Sequence, residues 1–495
     1  MRGEGRRAGW LCVALLILFA AVAWLAVSGK SAVYDETLHT ASAWAGRYLH
    51  DYRIDAENPP LWKYWVSLLH RPGDLRPDGA APEWNKVPEA VKYEWSWTKK
   101  VLFNTPGVDG HGLIARSRVM MLGFALLLGA LIAIWSWRLG GAVAAVAATT
   151  LYSLDPNFIG HGPLVKNDVA ATLVTLAGAY TAWQAGRRLT WARMGALALV
   201  CGIAVNVKFS ALLLGPVVVL LLLLRALLPE AWEAFGRARH GVPAKLLLAA
   251  TACVLCALVS YATIWAAYGF RFGVAPDPAV RMETERYVAR GRYFDIYARH
   301  PDRKPSRAEA EAWRPGALVR GLRLVEEHRL LPQPYVAGLL YTWSATRMGA
   351  SFLQGRYSMN GWVSYYPRAM LFKTPVATLL AMLCALAVLA GPGRRVLRDM
   401  PPGARWAAAC LALPVLLYGA TAAGMRVNYG VRHIFPIYPF LFIATGLAVK
   451  ALWADRRARI GAGLLAGLLA LETFAAFPDY IAFFNAPSGG ARGGL

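Results

Sequence analysis

Acidic residues are scarce in this 495-residue chain: 29 Asp and Glu stand against 53 Lys and Arg, for a formal net charge of +24. Charge of either sign is also sparse at 17%, while 57% of residues are hydrophobic, which excludes an ordinary soluble protein. Cysteine numbers six, and Cys12, Cys201, Cys253, Cys256, Cys384 and Cys410 all fall inside apolar runs, so no disulfide framework is expected. Cys253-Val-Leu-Cys256 has redox or metal-ligand spacing but lacks a second ligand pair, and cysteine within a membrane span behaves as a small apolar residue; no metal site is expected. No repeat of fixed period and no inverted-repeat symmetry is visible, which counts against a solenoid and against a transporter. A basic-aromatic nucleic-acid module is missing too, so nucleic acid is not an expected partner.

What the chain does have is a series of long charge-free runs. The first, Ala8 to Ser28, follows Arg2, Arg6 and Arg7 and has no convincing small-x-small cleavage site, so it reads as a retained helix with a cytoplasmic N-terminus. Further spans are expected at Val119 to Trp137, Gly141 to Leu154, Val169 to Ala185, Met194 to Val207, Ser210 to Leu224, Leu246 to Tyr268, Met370 to Ala390, Trp406 to Ala423, Ile434 to Leu452 and Ile460 to Phe477, about eleven in all. The fold class is therefore an all-α polytopic membrane protein. Placing the N-terminus inside puts Arg138, Arg187 with Arg188, Arg237 to Lys245, Arg394 with Arg395 and Arg398, and Arg456 with Arg457 on the cytoplasmic side, in agreement with the positive-inside rule. The transmembrane domain is then 1–477, with extracytoplasmic loops at 29–113 and 269–369 and an extracytoplasmic tail at 478–495. From Arg271 to Lys373, 17 Lys and Arg face 9 Asp and Glu, a basic surface suited to anionic lipid headgroups or phosphate-bearing substrates.

The first loop opens with Tyr34-Asp35-Glu36-Thr37-Leu38-His39, two adjacent carboxylates a few residues beyond a span, at the head of an amphipathic segment reaching Leu49. If Asp35 caps this helix, Glu36 and Thr40 share one face, and Asp35 and His39 a neighbouring one. The bland alternative makes Asp35 only an N-cap and Glu36 a first-turn acid favoured by the helix dipole. A second interfacial helix is expected after Asn58-Pro59-Pro60, carrying Trp62, Lys63, Tyr64 and Trp65.

Other polar groups collect at the outward ends of the spans: Arg116 and Arg118, Asp155, the run from His161 to Asp168, Lys208, Arg356, Lys373, and Arg432 with His433. Any one basic residue there could simply snorkel to the headgroups. Acids and bases gathered on one side instead describe a pocket.

These residues resemble a known family. Tyr34 to His39, Asp51-Tyr52-Arg53 and Glu57-Asn58-Pro59-Pro60-Leu61 are similar to the first outer loop of the bacterial family 39 glycosyltransferases, relatives of the protein O-mannosyltransferases. Leu154-Asp155-Pro156-Asn157 through Asp168, Lys208-Phe209-Ser210, Gly355-Arg356 with Lys373-Thr374-Pro375, Asn428 to His433 and Asp479 to Asn485 extend the likeness over nearly the whole chain. Two departures stand out: Asn58 occupies a position where histidine often precedes the two prolines, and the sequence stops soon after Gly489-Gly490, where many relatives continue into a tail that would bear on acceptor binding.

The resemblance implies a GT-C-type fold in the bacterial inner (plasma) membrane, with an active site facing outward. It implies transfer of a sugar, mannose or similar, from a polyprenyl-phosphate-linked donor to a hydroxyl of a protein, lipid or glycan acceptor, with inversion; no cofactor is required and a divalent cation is left open. In that chemistry Asp35 is the expected base, Glu36 positions acceptor or sugar, and Asp168 bonds the sugar or orients Arg116, Arg118 or Lys208. The donor's phosphate and sugar would be met by Arg116, Arg118, His161, Lys208, Arg356, Lys373, Arg432 and His433. Two readings compete: a flippase or transporter of polyprenyl-linked sugars, which would place ionisable residues near mid-bilayer, and a catalytically dead membrane scaffold, against which the intact Asp35-Glu36 pair argues.

Overall fold

The computed structural model describes residues 2–87, 91–300, 302–390 and 402–494. It begins with helix α1 (Arg2–Ser28), whose 27 residues at ~1.5 Å each exceed a hydrocarbon core of ~30 Å. The first loop supplies α2 (Tyr34–Tyr48), α3 (Leu61–Val66), α4 (Ala81–Lys86) and α5 (Val91–Phe103). Then come α6 (Gly110–Ser153), α7 (Pro156–His161), α8 (Asp168–Arg187), α9 (Trp191–Ala204), α10 (Leu214–Leu227) and α11 (Val242–Ala267). A small three-stranded sheet, β1 (Arg188–Leu189), β2 (Trp232–Ala234) and β3 (Arg237–Arg239), ties the α8–α9 and α10–α11 connections together.

The second loop folds into α12 (Glu285–Tyr297), α13 (Arg307–Ala312), α14 (Ala317–Glu327), α15 (Gln333–Ala345) and the hairpin β4 (Ser351–Leu353) with β5 (Arg356–Ser358). Among the described residues five α-helices follow: α16 (Tyr365–Lys373), α17 (Val376–Ala390), α18 (Pro402–Ala423), α19 (Tyr438–Leu452) and α20 (Arg456–Ala475).

Each of the eleven apolar runs is helical, but not as eleven separate rods. Among the described residues seven helices are long and apolar enough to cross a membrane, or eight if α16 and α17, bent by 117° at their junction, form one span. The runs from Val119 and from Gly141 are two helical stretches of α6 broken at Gly141, whose φ of 75° an L side chain rarely adopts, and the second folds back on the first, so that the Tyr152 hydroxyl donates to the Ala125 carbonyl at 2.7 Å. Arg394, Arg395 and Arg398 lie outside the described residues.

The spans pack through a continuous apolar core in which Trp135 is fully buried against Tyr180, Trp183 and Phe440. Close approach of α6 and α19 depends on small residues: a Cβ at Gly446 would stand 2.5 Å from the Ala144 carbonyl oxygen. At the junction of α16 and α17, Glu472 on α20 accepts from the Val376 and Ala377 N–H groups at 2.9 and 3.1 Å, closing the exposed start of α17. The two loops build their own cores beyond the span ends, around Trp44, Ile54, Trp97 and Leu113 in the first, and around Tyr268, Tyr287, Tyr335 and Trp343 in the second. They join through the Tyr52 N–H, which donates to the Val274 carbonyl at 2.9 Å, and through Arg286, which donates to the Val87 carbonyl at 3.0 Å.

The first-loop helices are more deeply set than a surface-lying helix would be. Ten of the fifteen residues of α2 are buried, including Glu36, His39, Thr40 and Ser42. α3 starts three residues after Asn58 and lasts only six residues, with Trp62 and Lys63 buried.

Candidate functional site

Asp35 does not cap α2. The cap position is Val33, and Glu36 reaches back to accept the Val33 N–H at 2.9 Å, which satisfies an open backbone donor of the first turn. This leaves Asp35, one position earlier and about a quarter-turn away, free to face a different neighbourhood.

Glu36 is wholly enclosed. Its oxygens take Arg118 Nε at 2.9 Å, Arg118 Nη2 at 2.6 Å and the Val165 N–H at 3.0 Å. Arg118 spends its remaining donors on the carbonyls of Val27, Lys30 and Ser31. Neither side chain keeps a polar atom for a substrate, so the expected substrate contacts of Glu36 and Arg118 give way to a buried ion pair that staples the start of α2 to α6. Arg116 is diverted as well: it pairs with Asp74 at 2.7 Å within the first loop. Asp155 is a cap, accepting the Asn157 and Phe158 N–H groups at 2.8 and 3.2 Å, and burial, against those bonds, raises its carboxyl to about 7.

Asp35 and Asp168 do come together, by way of Arg432. The Arg432 Nη1 lies 3.0 Å from Asp35 Oδ2 and 3.9 Å from Asp168 Oδ2. Lys208 closes on the other oxygen of Asp168 in a short contact, and Lys166 stands 3.1 Å from Asp35. Burial acts to raise the Asp35 carboxyl, but Lys166 and Arg432 outweigh it and hold the group below the ordinary carboxylate range. Three cations against two carboxylates leave this cluster with a surplus of positive charge. Asp35 keeps a 30% exposed side chain, whereas Asp168 is 6% exposed, so the first is the open acid and the second the buried anchor.

Two histidines border the cluster with unpartnered ring nitrogens, Nδ1 of His161 and Nε2 of His433. Burial, with Lys166, Arg432 and Lys373 adding to it and Asp168 opposing, pushes His161 down to about 3, so the imidazole is neutral at physiological pH. Lys373 sits on the same side: its Nζ donates to the Ile481 carbonyl at 2.9 Å and lies 4.0 Å above the Phe484 ring. Arg356 does not join this cluster; it is exposed at the start of β5 and has no ion-pair partner among the described residues.

Sequence reasoning missed three features here. Lys166 was hidden inside a longer polar run, with nothing in its spacing to mark it as the partner of Asp35. Glu57 is partly buried on the Asp35 side of the first loop; burial, then the nearby Asp55 and Asp35 charges, raise its carboxyl above the ordinary range while the Tyr341 hydroxyl opposes them. The third is the support beneath. Asp55, in a left-handed conformation with φ 58°, takes His39 Nδ1 at 2.8 Å, Lys63 Nζ at 2.8 Å and Ser42 Oγ at 3.1 Å. Asn58 continues this network, donating to Asp55 at 2.6 Å and accepting from Asn167 at 2.7 Å, so the asparagine that departs from the family pattern ties the first loop to the start of α8. No group of three or more His, Cys, Asp or Glu able to hold a metal ion is found among the described residues. A separate, largely apolar cavity of about 340 Å³ lies between the C-terminal end of α1, the segment 159–164 and the segment 478–482, with Lys30 and Arg118 among its walls.

Among solved structures the chain is similar to ArnT from Cupriavidus metallidurans bound to undecaprenyl phosphate, at 14% identity and a TM-score of 0.49, over 96% of this chain and 72% of that one. It is also similar to the oligosaccharyltransferase of Archaeoglobus fulgidus in the apo form, at 12% identity and a TM-score of 0.42, over 95% of this chain and 55% of that one. No curated protein matches it in sequence. The dolichyl-phosphate-mannose-protein mannosyltransferase family matches residues 12–267, a stretch that runs from α1 to the end of α11 and holds Asp35, Glu36, Arg118, Lys166, Asp168 and Lys208. More than half of the chain thus follows that family's pattern, and this multi-pass membrane protein belongs to it.

Proposed function

We propose that the protein transfers a sugar, mannose or a close relative, from a polyprenyl-phosphate carrier to an acceptor hydroxyl at the outer face of the bacterial inner membrane, with inversion at the anomeric carbon. The observation that carries this reading is the Asp35–Arg432–Asp168–Lys208 constellation: an open carboxylate held beside cations at the outer ends of the spans. In the reaction the acceptor oxygen bonds to the anomeric carbon as the bond from that carbon to the phosphate oxygen breaks. The leaving electron pair passes to the phosphate, and Asp35 takes the hydroxyl proton. Arg432, Lys208 and the neutral His433 meet the phosphate, and His161 with Lys373 line its approach; cations placed where negative charge develops lower the barrier.

The cluster also suggests how the base is readied. Before the donor binds, Arg432 and Lys166 hold Asp35 ionised and a poor proton acceptor. A phosphate that draws Arg432 toward itself weakens this grip and raises the proton affinity of Asp35 when the acceptor arrives. Asp168 keeps Lys208 and Arg432 in place throughout, while Glu36 and Arg118 hold the backbone that presents Asp35.

The deciding experiment incubates purified protein in lipid with a panel of radiolabelled polyprenyl-phosphate sugars and extracts of protein, lipid and glycan acceptors. Transfer of one label to an acceptor is the expected result. Movement of intact labelled carrier across the bilayer without transfer would replace the enzyme with a flippase.

A further inference from the structure

α14 has two apolar faces, and only one of them is covered. Val319 and Leu322 are buried in the second-loop core. On another side Ala317, Gly321 and Leu324, spaced by four and three residues, form an exposed stripe with Leu318 at its edge; Leu318 and Leu324 are 59% and 54% exposed. Arg320 borders the stripe, and Arg329 and the 48% exposed Leu330 follow just past the helix end. Arg320 donates to the Pro315 carbonyl and Arg329 stacks 5.3 Å over the Phe272 ring, and neither has a carboxylate partner among the described residues.

The position of this stripe relative to the membrane is set by one hydrogen bond. Trp265 Nε1 donates to the Leu330 carbonyl at 3.3 Å, and Trp265 is in the last turn of α11, a helix long and apolar enough to span. Phe270, just beyond that span, is 73% exposed. Tryptophan at a span end sits at headgroup depth, so the end of α14 is fixed at that depth too. Exposed leucines bordered by arginines are the composition of a helix that lies in the interface.

We infer that α14 docks on the bilayer, with Leu318 and Leu324 entering the headgroup–acyl boundary and Arg320 and Arg329 meeting the phosphates of anionic lipids. The second loop is thereby anchored beside the end of α11 as well as to the first loop.

Full-length protein carrying Cys384→Ser, which removes the exposed native cysteine, and Leu324→Cys would be labelled with an environment-sensitive fluorophore. It would be reconstituted in phosphatidylcholine vesicles with or without phosphatidylglycerol. The same label at Arg307→Cys, where the side chain is 94% exposed on α13, is the reference, and Leu318→Cys is a second reporter in case Leu324→Cys disturbs folding. Emission at 324 and 318 should be blue-shifted relative to 307 and quenched several-fold more by lipids brominated near the headgroup. Adding Arg320→Glu and Arg329→Glu should reduce that difference in phosphatidylglycerol vesicles but not in pure phosphatidylcholine. Equal emission and quenching at all three sites would overturn the inference. A blue shift at 324 that brominated lipid does not quench would also overturn it, assigning the stripe to a protein surface.

Discussion

Arg432 donates to Asp35 at 3.0 Å across 397 positions of sequence, bringing the last third of the chain to the head of α2. Replacing the acceptor of that bond separates catalysis from binding. Asp35→Asn keeps the shape and a hydrogen-bonding oxygen but loses the proton acceptor, and single-turnover transfer should fall by about 10²- to 10⁴-fold. Donor affinity should hold or rise, since Arg432 is released toward the phosphate. Transfer within a few-fold of the parent would remove Asp35 from the mechanism.

Lys208→Ala should act on the other side of the same cluster. It removes a cation proposed to meet the donor phosphate and leaves Asp168 with Arg432 alone, so affinity for the lipid-phosphate donor should drop while that for a water-soluble acceptor stays nearly unchanged. Equilibrium binding of each substrate separately reads the two effects; unchanged donor affinity would return Lys208 to a purely structural partner of Asp168.

Glu36→Ala should be a folding defect. It leaves Arg118 buried with no counter-charge, and breaking a buried ion pair from one side typically costs about 3–5 kcal/mol. The variant should unfold at lower temperature in the same lipid mixture, with loss of transfer tracking loss of folded protein. A variant as heat-stable as the parent yet inactive would restore Glu36 to the chemistry.

Glu94 predicts a pH dependence of stability. Burial first, and the nearby Asp55 charge, raise its carboxyl to about 8, against the bond it accepts from the Asp55 N–H and the Arg286 charge 3.9 Å away. Below the unfolded value of 4.5 both states are protonated and Glu94 contributes no slope. Between 4.5 and about 8 the unfolded chain releases a proton that the folded one keeps, so this group lowers stability as pH rises through that window. Glu94→Gln should flatten that part of the profile. Thermal unfolding of parent and variant across the window makes the comparison, and parallel curves would refute the assignment.

Topology can be tested at two exposed positions. Cysteine at Arg307, in the second loop, should react with an impermeant reagent in intact cells, and cysteine at Gly241, between β3 and α11, should not. The opposite pattern would invert the orientation and put the Asp35 cluster in the cytoplasm. Gly291 is unsuitable as a reporter because a Cβ there would stand 2.1 Å from the Trp343 ring.

The spans were legible because an apolar run of membrane length has few other solutions, and Asp35, Asp168, Lys208 and Arg432 were legible as polar residues where such runs end. The division of labour between Asp35 and Glu36 was not. Adjacent residues on a helix point about 100° apart, so one acid could enter a buried ion pair with Arg118 while the other faced the cation cluster, and no local pattern says which goes where. Arg116, two residues before Arg118, carries the same charge yet serves Asp74, for the same reason. Lys166 and Glu57 escaped notice because their importance rests on what folds against them. The boundary at Gly141 was legible as the start of a separate run, and the structure breaks the helix there because glycine can adopt the φ of 75° that the reversal requires.

The carboxylate of Glu472 bears on how the molecule is put together in the membrane. It sits near the C-terminal end of α20, a helix long and apolar enough to cross a membrane, where an unshared charge is expensive to insert. Its partners, the Val376 and Ala377 N–H groups at the start of α17, belong to a segment synthesised well before it and have no intrahelical acceptor of their own. One side chain of α20 thus satisfies two backbone donors at the 117° bend between α16 and α17, tying that bend to a helix about a hundred residues away in sequence.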